Sequence, residues 1–206
     1  MTHTLHRRGS AESLSNDFPM LSIRAVGFND EGSDEKLEKF LRIAMHHKPV
    51  NIGSISTGNV FSCDAEEVIT KAHGVVHAVF DNPQAVVACL RELKAADVGM
   101  SVVVSGILDE VNSCCKDAGL KRHTVEFSLG VWGETEKLPP EEVLEVTTMC
   151  GHGLVSASLV TLMVEQIRSG ARTADDAAKE LARQCTCGVF NPVRAAKLLG
   201  AMASAG

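Results

Sequence analysis

Three of the seven cysteines in the 206-residue sequence lie on glycine-bearing loops in its C-terminal part. Cys150 belongs to the string Met-Cys-Gly-His-Gly, and Cys185 and Cys187 belong to Cys-Thr-Cys-Gly. Each string precedes a predicted helix, and the partial positive charge of a helix N-terminus favours the thiolate form of cysteine. Thiolates are soft ligands that suit iron and zinc. The pattern therefore predicts a metal centre at Cys150, Cys185 and Cys187.

Two kinds of centre fit these residues. Three thiolates can hold an iron–sulfur cluster with one iron left open to substrate, and this version ranks first because it needs only the three thiols. Such an iron favours lyase chemistry, a dehydration or desulfuration, on a small polar molecule. Alternatively, His152 joins the three cysteines in a zinc site of the Cys₃His type. A zinc site of that kind would instead indicate a non-catalytic structural or partner-binding domain.

Cys150 also supports an interpretation without metal. The string Met149–Gly153, MCGHG, resembles the cysteine motif of the proline racemase family over these five residues. The resemblance implies a thiol that acts as a general acid and base at an α-carbon, with His152 beside it as the proton-transfer partner. In that family each of two lobes supplies a cysteine. Cys187 would be the second one here, although its surroundings differ from that family's pattern.

The remaining cysteines and the histidines carry weaker signals. Cys89, Cys114 and Cys115 fall within predicted helices and are typical of buried packing, while Cys63 precedes a helix start. His77 falls in a predicted strand, on the face opposite Val76, with nothing to connect it to the cysteine loops.

One further loop is a candidate for substrate binding. It runs from Gly53 to Asn59 and carries two glycines and four polar side chains. It lacks the phosphate-binding signatures of nucleotide-binding loops. Ser56, Thr57 and Asn59 are the predicted substrate-binding residues.

Composition excludes several classes of partner. Lys and Arg number 20 against 26 Asp and Glu, a net charge of -6, and no basic stripe is present to bind nucleic acid or an anionic membrane surface. The longest apolar stretch, Leu154–Ile167, is shorter than the ~20 residues that span a bilayer. We therefore expect a cytoplasmic protein with reduced thiols, in which this stretch is a core helix or an interface of a homo-oligomer.

The order of elements predicts three regions. Residues 1–18 are polar and aperiodic, as in a flexible tail. In residues 19–133, strands and helices alternate, which favours an α/β fold, a layered sheet with covering helices, although a ferredoxin-like α+β sandwich gives a similar pattern. Residues 134–206 form a helical, cysteine-bearing segment.

The individual elements follow from periodicity and caps. The predicted strands are Leu21–Phe28, Val50–Phe61 with breaks at its glycines, Val75–Phe80, Met100–Val104 and Thr124–Trp132. The uninterrupted apolar run Met100–Val104 predicts a buried central strand. Helices are expected after Ser33 or Asp34, Asp64, Pro83, Leu108, Glu141, Leu154, Thr173 and Asn191.

Overall fold

A computed structural model describes residues 3–205 and contains a five-stranded sheet in which every pairing is antiparallel. The strands are β1 (Phe18–Ile23), β2 (Asn51–Ser54), β3 (Gly58–Asn59), β4 (Val75–Phe80) and β5 (Val102–Val104), in the order β3-β2-β4-β1-β5. Helices cover the sheet, so the predicted α/β layer with covering helices and a helical C-terminal segment is confirmed.

The helices that the sequence predicts all form, although the cap of the second helix is Gly32 rather than Ser33 or Asp34, and a short helix in the N-terminal segment is not predicted. The helices are α1 (Ala11–Leu14), α2 (Ser33–His46), α3 (Ala65–Thr70), α4 (Pro83–Ala96), α5 (Leu108–Asp117), α6 (Glu141–Thr147), α7 (Ala157–Arg168), α8 (Ala174–Gln184) and α9 (Pro192–Ser204). Asp64, Thr173 and Asn191 accept hydrogen bonds from the first-turn amides of α3, α8 and α9. A short 3₁₀ turn, Thr135–Lys137, precedes α6. No helix within the described residues is both long and apolar enough to cross a membrane.

Side chains alternate between two faces along each strand, and the two faces pack against different parts of the chain. Val76, Ala78 and Phe80 join a hydrophobic cluster drawn from residues 18–118, which includes the buried sides of α2 and α4. A second cluster is drawn from residues 143–199. His77 points to the opposite face from Val76, towards this second cluster. The predicted domain boundary after residue 133 remains a prediction.

The C-terminal segment meets the sheet at the loop between α8 and α9. Asn51 Nδ2 donates to the carbonyl of Phe190 at 2.9 Å. A Cβ on Gly53 would lie 2.5 Å from the carbonyl oxygen of Cys187 and 2.7 Å from Cα of Gly188. Only glycine permits this backbone-to-backbone approach. The contact brings the Cys187 loop to the centre of the sheet.

The structure differs from the sequence predictions at the far edge of the sheet. The run Met100–Val104 is not a buried central strand, because its ordered part, Val102–Val104, is the edge strand β5 and Val103 is 38% exposed. The predicted strand Thr124–Trp132 is also wrong, since the structure assigns it no strand and leaves Trp132 83% exposed. A strand needs a ladder partner, which sequence alternation does not supply.

Polar contacts fix the N-terminal segment that the sequence predicts as a flexible tail over residues 1–18. Residues 1 and 2 lie outside the described part of the chain, and Phe18 begins β1. From His3 onward the segment is in contact with the rest of the protein: Thr4 Oγ1 lies 2.6 Å from Ser105 Oγ, and Arg7 forms an ion pair with the buried Asp17. Such contacts have no periodicity, so the sequence pattern does not reveal them.

Candidate metal centre

The three predicted cysteine ligands are buried and adjacent. Cys150 follows α6, Cys185 is the C-cap of α8, and Cys187 lies four residues before the Asn191 cap of α9. Each is exposed by 1% or less. The thiols of Cys150 and Cys185 are hydrogen-bonded, as are those of Cys185 and Cys187. We call this arrangement the thiol row.

The three thiols of the row differ in the direction of their pKa shifts. A hydrogen bond with Cys185 and then burial raise the pKa of Cys150. For Cys185, the hydrogen bond with Cys150 lowers the pKa, but the hydrogen bond with Cys187 and burial outweigh it and raise the pKa to about 12. The hydrogen bond with Cys185 lowers the pKa of Cys187 against its burial. Cys187 is therefore the thiol best prepared to act as a thiolate ligand.

Two histidines from distant parts of the chain meet Cys187. His77 lies in the middle of β4 and is fully buried, and His3 approaches from the N-terminal segment. Their Nε2 atoms are 3.0 Å apart. Within residues 3–205, His3, His77 and Cys187 form the one set of three His, Cys, Asp or Glu residues whose ligand atoms all lie within 4.8 Å of one another. We call it the His–Cys group.

His152 stands beside this group on its exposed side. Its Nδ1 is 3.5 Å from Cys187 Sγ. Its ring stacks on that of His3, with centroids 4.7 Å apart and an interplanar angle of 21°, whereas the rings of His3 and His77 meet edge-on at 86°. An imidazole nitrogen binds metal through a lone pair in the ring plane. In the structure the His3 and His77 nitrogens are hydrogen-bonded to each other, and a bound ion would take the place of that shared proton. The rings of His3 and His152 are stacked, so their lone pairs run nearly side by side.

Burial keeps the histidines neutral. It lowers the pKa of His77 to about 3, helped by the neighbouring His3 and His152. The pKa values of His3 and His152 are also lowered, in both cases chiefly by burial. For His77, a hydrogen bond with the backbone of Cys187 partly offsets the lowering. Neutral imidazole is the form that ligates metal, so the group is ready to bind an ion near neutral pH.

The low pKa of His77 predicts acid sensitivity of the metal-free protein. The folded-state pKa lies below the unfolded value of 6.5, so the stabilisation is present above pH ~6.5 and is lost as the pH falls towards ~3. In this range, one such proton changes the free energy of unfolding by about 1.4 kcal/mol per pH unit, which is the slope of stability against pH. Urea unfolding in the presence of a chelator should show that the slope is shallower in His77→Gln. The exposed-site control His123→Gln should retain the parent slope, and equal slopes in all three proteins would contradict this account.

Glycines allow the three segments to come together. A Cβ on Gly151 would overlap the carbonyl of His3, and Gly188, at φ 79°, packs directly on Gly53. The sequence predicts that the glycines beside Cys150 let the backbone approach a ligand closely. In the structure, what Gly151 approaches is the backbone of His3.

The glycine contacts yield a second prediction. Gly53→Ala should lower the free energy of unfolding by about 1–3 kcal/mol, the usual range for overpacking, because the added methyl group meets backbone that cannot rotate away. It should also weaken metal binding, since it pushes the Cys187 loop away from β2, where Gly53 is the strand partner of the ligand His77. Gly200→Ala is the matched control: its nearest neighbour would be 3.9 Å away, inside α9, and helix propensity favours alanine there. Equal stability of the two variants, measured by urea denaturation, would contradict the proposed close contact.

The predicted substrate-binding residues lie on β3 and the turn before it. Asn59 is buried and donates to the carbonyls of Ala182 (3.1 Å) and Cys185 (2.8 Å), so it fixes the Cys185 loop. Ser56 is exposed and Thr57 is half-buried, and their hydroxyls donate to the carbonyl of Lys71. A role of these three residues in substrate binding remains a prediction.

A buried network of two arginines and one aspartate connects the N-terminal segment to the cysteine loops. Asp17 pairs with both Arg7 (2.5 Å) and Arg194 (3.0 Å), and their side chains are 0%, 5% and 2% exposed. Arg7 also donates to the carbonyls of Met149 and Val189, which flank the cysteine loops. Its charge helps to lower the pKa of Cys187. The network thus joins the N-terminal segment to both loops.

Fold and site together define an antiparallel α/β protein with a buried thiol row that adjoins a His–Cys group. No family model matches the chain, and neither the curated proteins nor the solved structures contain a significant match.

Proposed function

We propose that the protein is a metal-dependent enzyme in which His3, His77 and Cys187 hold one transition-metal ion of the zinc class and a small polar molecule binds at its open position. The observation that carries this proposal is the convergence of the His–Cys group, whose ligand atoms lie within 4.8 Å of one another. Two imidazoles on one tetrahedral zinc have nitrogens about 3.3 Å apart, given Zn–N bonds of about 2.0–2.1 Å. The His3 and His77 nitrogens are hydrogen-bonded at 3.0 Å in the structure, so they would need to move apart by only a few tenths of an ångström to bind one ion.

Three protein ligands with one open position are typical of a catalytic rather than a structural zinc site. His152 lies on the open side, where it is exposed and 3.5 Å from Cys187 Sγ. A bound ion would act as a Lewis acid towards a carbonyl or hydroxyl oxygen of the substrate. His152, neutral near pH 7, would take or give the proton of an elimination such as dehydration.

The iron–sulfur cluster on Cys150, Cys185 and Cys187 is the second candidate. The buried thiol row favours it, because the three thiols are neighbours. Their direct hydrogen bonds weigh against it, since the thiols would have to separate to surround several iron and sulfide ions. Both candidates use Cys187, so other residues must distinguish them.

Two other readings are less well supported. Acid/base chemistry at Cys150 without metal would require a reactive thiol, yet Cys150 is 1% exposed and its pKa is raised. A closed structural zinc site would require His152 as the fourth ligand, which its stacking on His3 disfavours.

Anaerobic purification followed by zinc, iron and sulfide analysis tests the proposal. We expect one ion per chain without sulfide, lost in His3→Ala and retained in Cys185→Ser. The reverse dependence, with iron and sulfide present, would favour the cluster. Azide added to the cobalt-loaded protein should shift its visible spectrum if a coordination position is open. An unchanged spectrum would favour a closed structural site and contradict catalysis.

A further inference from the structure

A nine-residue segment, Thr124–Trp132, has the sequence of a strand but no strand partner within the described chain. Its apolar residues alternate with Thr124, Glu126, Ser128 and Gly130. The apolar face consists of Val125, Phe127, Leu129 and Val131, all exposed to solvent. Trp132 is exposed as well, but its position in the alternation places it on the other face. Alternation of this kind predicts a strand with one face covered, and the structure leaves that face uncovered.

Among residues 3–205, the outer edge of β5 also has no strand partner. There β5 pairs with β1 alone and ends the strand order. From Ser101 to Ser105 the edge carries no proline and no charged residue, the features by which natural proteins usually block edge-to-edge pairing. An open edge of this kind is a template for another strand.

The segment approaches this edge but stays separate from it. A cavity of about 710 Å³ lies between β5, α4, α5 and residues 120–127. The segment is held on its own side of this cavity by a contact between Ser128 Oγ and His6 Nδ1 at 3.1 Å. The single chain therefore contains both halves of a strand pair without forming it.

The exposed apolar surface is of the size a dimer needs. Phe127 and Trp132 are 63% and 83% exposed, and Phe28, beside the Asn29 side chain that contacts Met100, is 92% exposed. At about 150–250 Å² each, these three aromatics alone present on the order of 500 Å². A stable interface buries about 800 Å² per partner, and the apolar residues of the segment supply much of the remainder.

We propose that the chain forms a homodimer in which the Thr124–Trp132 segment of each copy adds as an edge strand to β5 of the other. The exchange is reciprocal: each β5 edge and each segment obtains a strand partner from the other copy. The two copies are then related by one two-fold axis, as in isologous interfaces. The segment's apolar face then covers the cavity beside β5. This pairing makes Thr124–Trp132 the strand that its sequence predicts.

Sedimentation velocity of the full-length protein over a wide concentration range tests the proposal. We expect a mass of twice 21.9 kDa, and dissociation of the dimer in Leu129→Lys with a dimer Kd raised at least a hundredfold. Leu162→Lys is the matched control, an exposed leucine on α7 that should leave the dimer intact. A wild-type monomer at all concentrations, or a Leu129→Lys dimer as tight as the parent, would overturn the proposal.

Hydrogen exchange distinguishes the remaining possibility, a pairing of the segment with β5 of its own chain. In the proposed dimer, protection of amides 102–104 and 124–132 rises with protein concentration. Strong protection that does not depend on protein concentration would show that the segment pairs with β5 of its own chain, and would overturn the proposed dimer.

Discussion

Replacing Cys187 with serine is expected to raise the Kd for zinc at least a hundredfold, a loss of about 2.8 kcal/mol or more. Cys187 is the thiol of the His–Cys group, it lies at the end of the thiol row where the thiol pKa is lowered, and it is 1% exposed. A serine hydroxyl stays protonated near neutral pH and is a hard ligand that zinc binds weakly. Competition with a chromophoric chelator measures the change.

The controls for this experiment come from the other cysteines. Cys115 is half-buried on α5 and does not belong to the His–Cys group, so Cys115→Ser should bind zinc like the parent. Cys185→Ala should have an intermediate effect, because it removes the hydrogen bond that lowers the pKa of Cys187 without removing a ligand. A Cys187→Ser variant that binds zinc as tightly as the parent would contradict the ligand assignment.

Replacing Asp17 with asparagine is expected to lower the free energy of unfolding by about 3–5 kcal/mol, the usual cost of breaking a buried ion pair. Asp17 is the carboxylate between two buried guanidinium groups, Arg7 and Arg194. It also accepts from Asn191 Nδ2 at 3.1 Å. Asparagine keeps the shape but removes the charge, so both arginines would remain buried without full compensation.

An exposed ion pair provides the matched control for Asp17→Asn. Lys71 and Glu67 pair at 2.7 Å on the surface of α3, with side chains 64% and 46% exposed. Glu67→Gln should change stability by less than about 1 kcal/mol. Urea unfolding at pH 7 compares the two variants. A similar small change in both would mean that solvent compensates the network around Asp17.

Local signals in the sequence predicted most elements of the fold. The strand Val75–Phe80 has the predicted bounds, and Asn191-Pro192 opens α9 as a cap followed by proline. Long-range pairing was not predictable in the same way. Met100–Val104 is as apolar as a central strand, yet the antiparallel order places β5 at the edge, which no local pattern encodes.

The sequence predicted only the cysteines of the candidate site, because local patterns are visible in a sequence and long-range contacts are not. Cys150, Cys185 and Cys187 stood out because glycines and helix starts surround them in the sequence. His3 and His77 did not, since they are 74 residues apart and meet only through the fold. One signal pointed to His77: it occupies a buried position of a strand, where a histidine needs a partner or a ligand. His3 gave only a weak signal, as one of two histidines able to bind a metal in a segment that the sequence predicts as a solvated tail.

X-ray absorption spectroscopy of the metal-loaded protein shows directly whether His3, His77 and Cys187 hold one ion. We expect one sulfur ligand at about 2.3 Å and nitrogen or oxygen ligands at about 2.0–2.1 Å from a single ion. The sulfur contribution should vanish in Cys187→Ser. A first shell of three or more sulfurs with a neighbouring metal atom, or no stoichiometric metal at all, would contradict the proposed site at His3, His77 and Cys187.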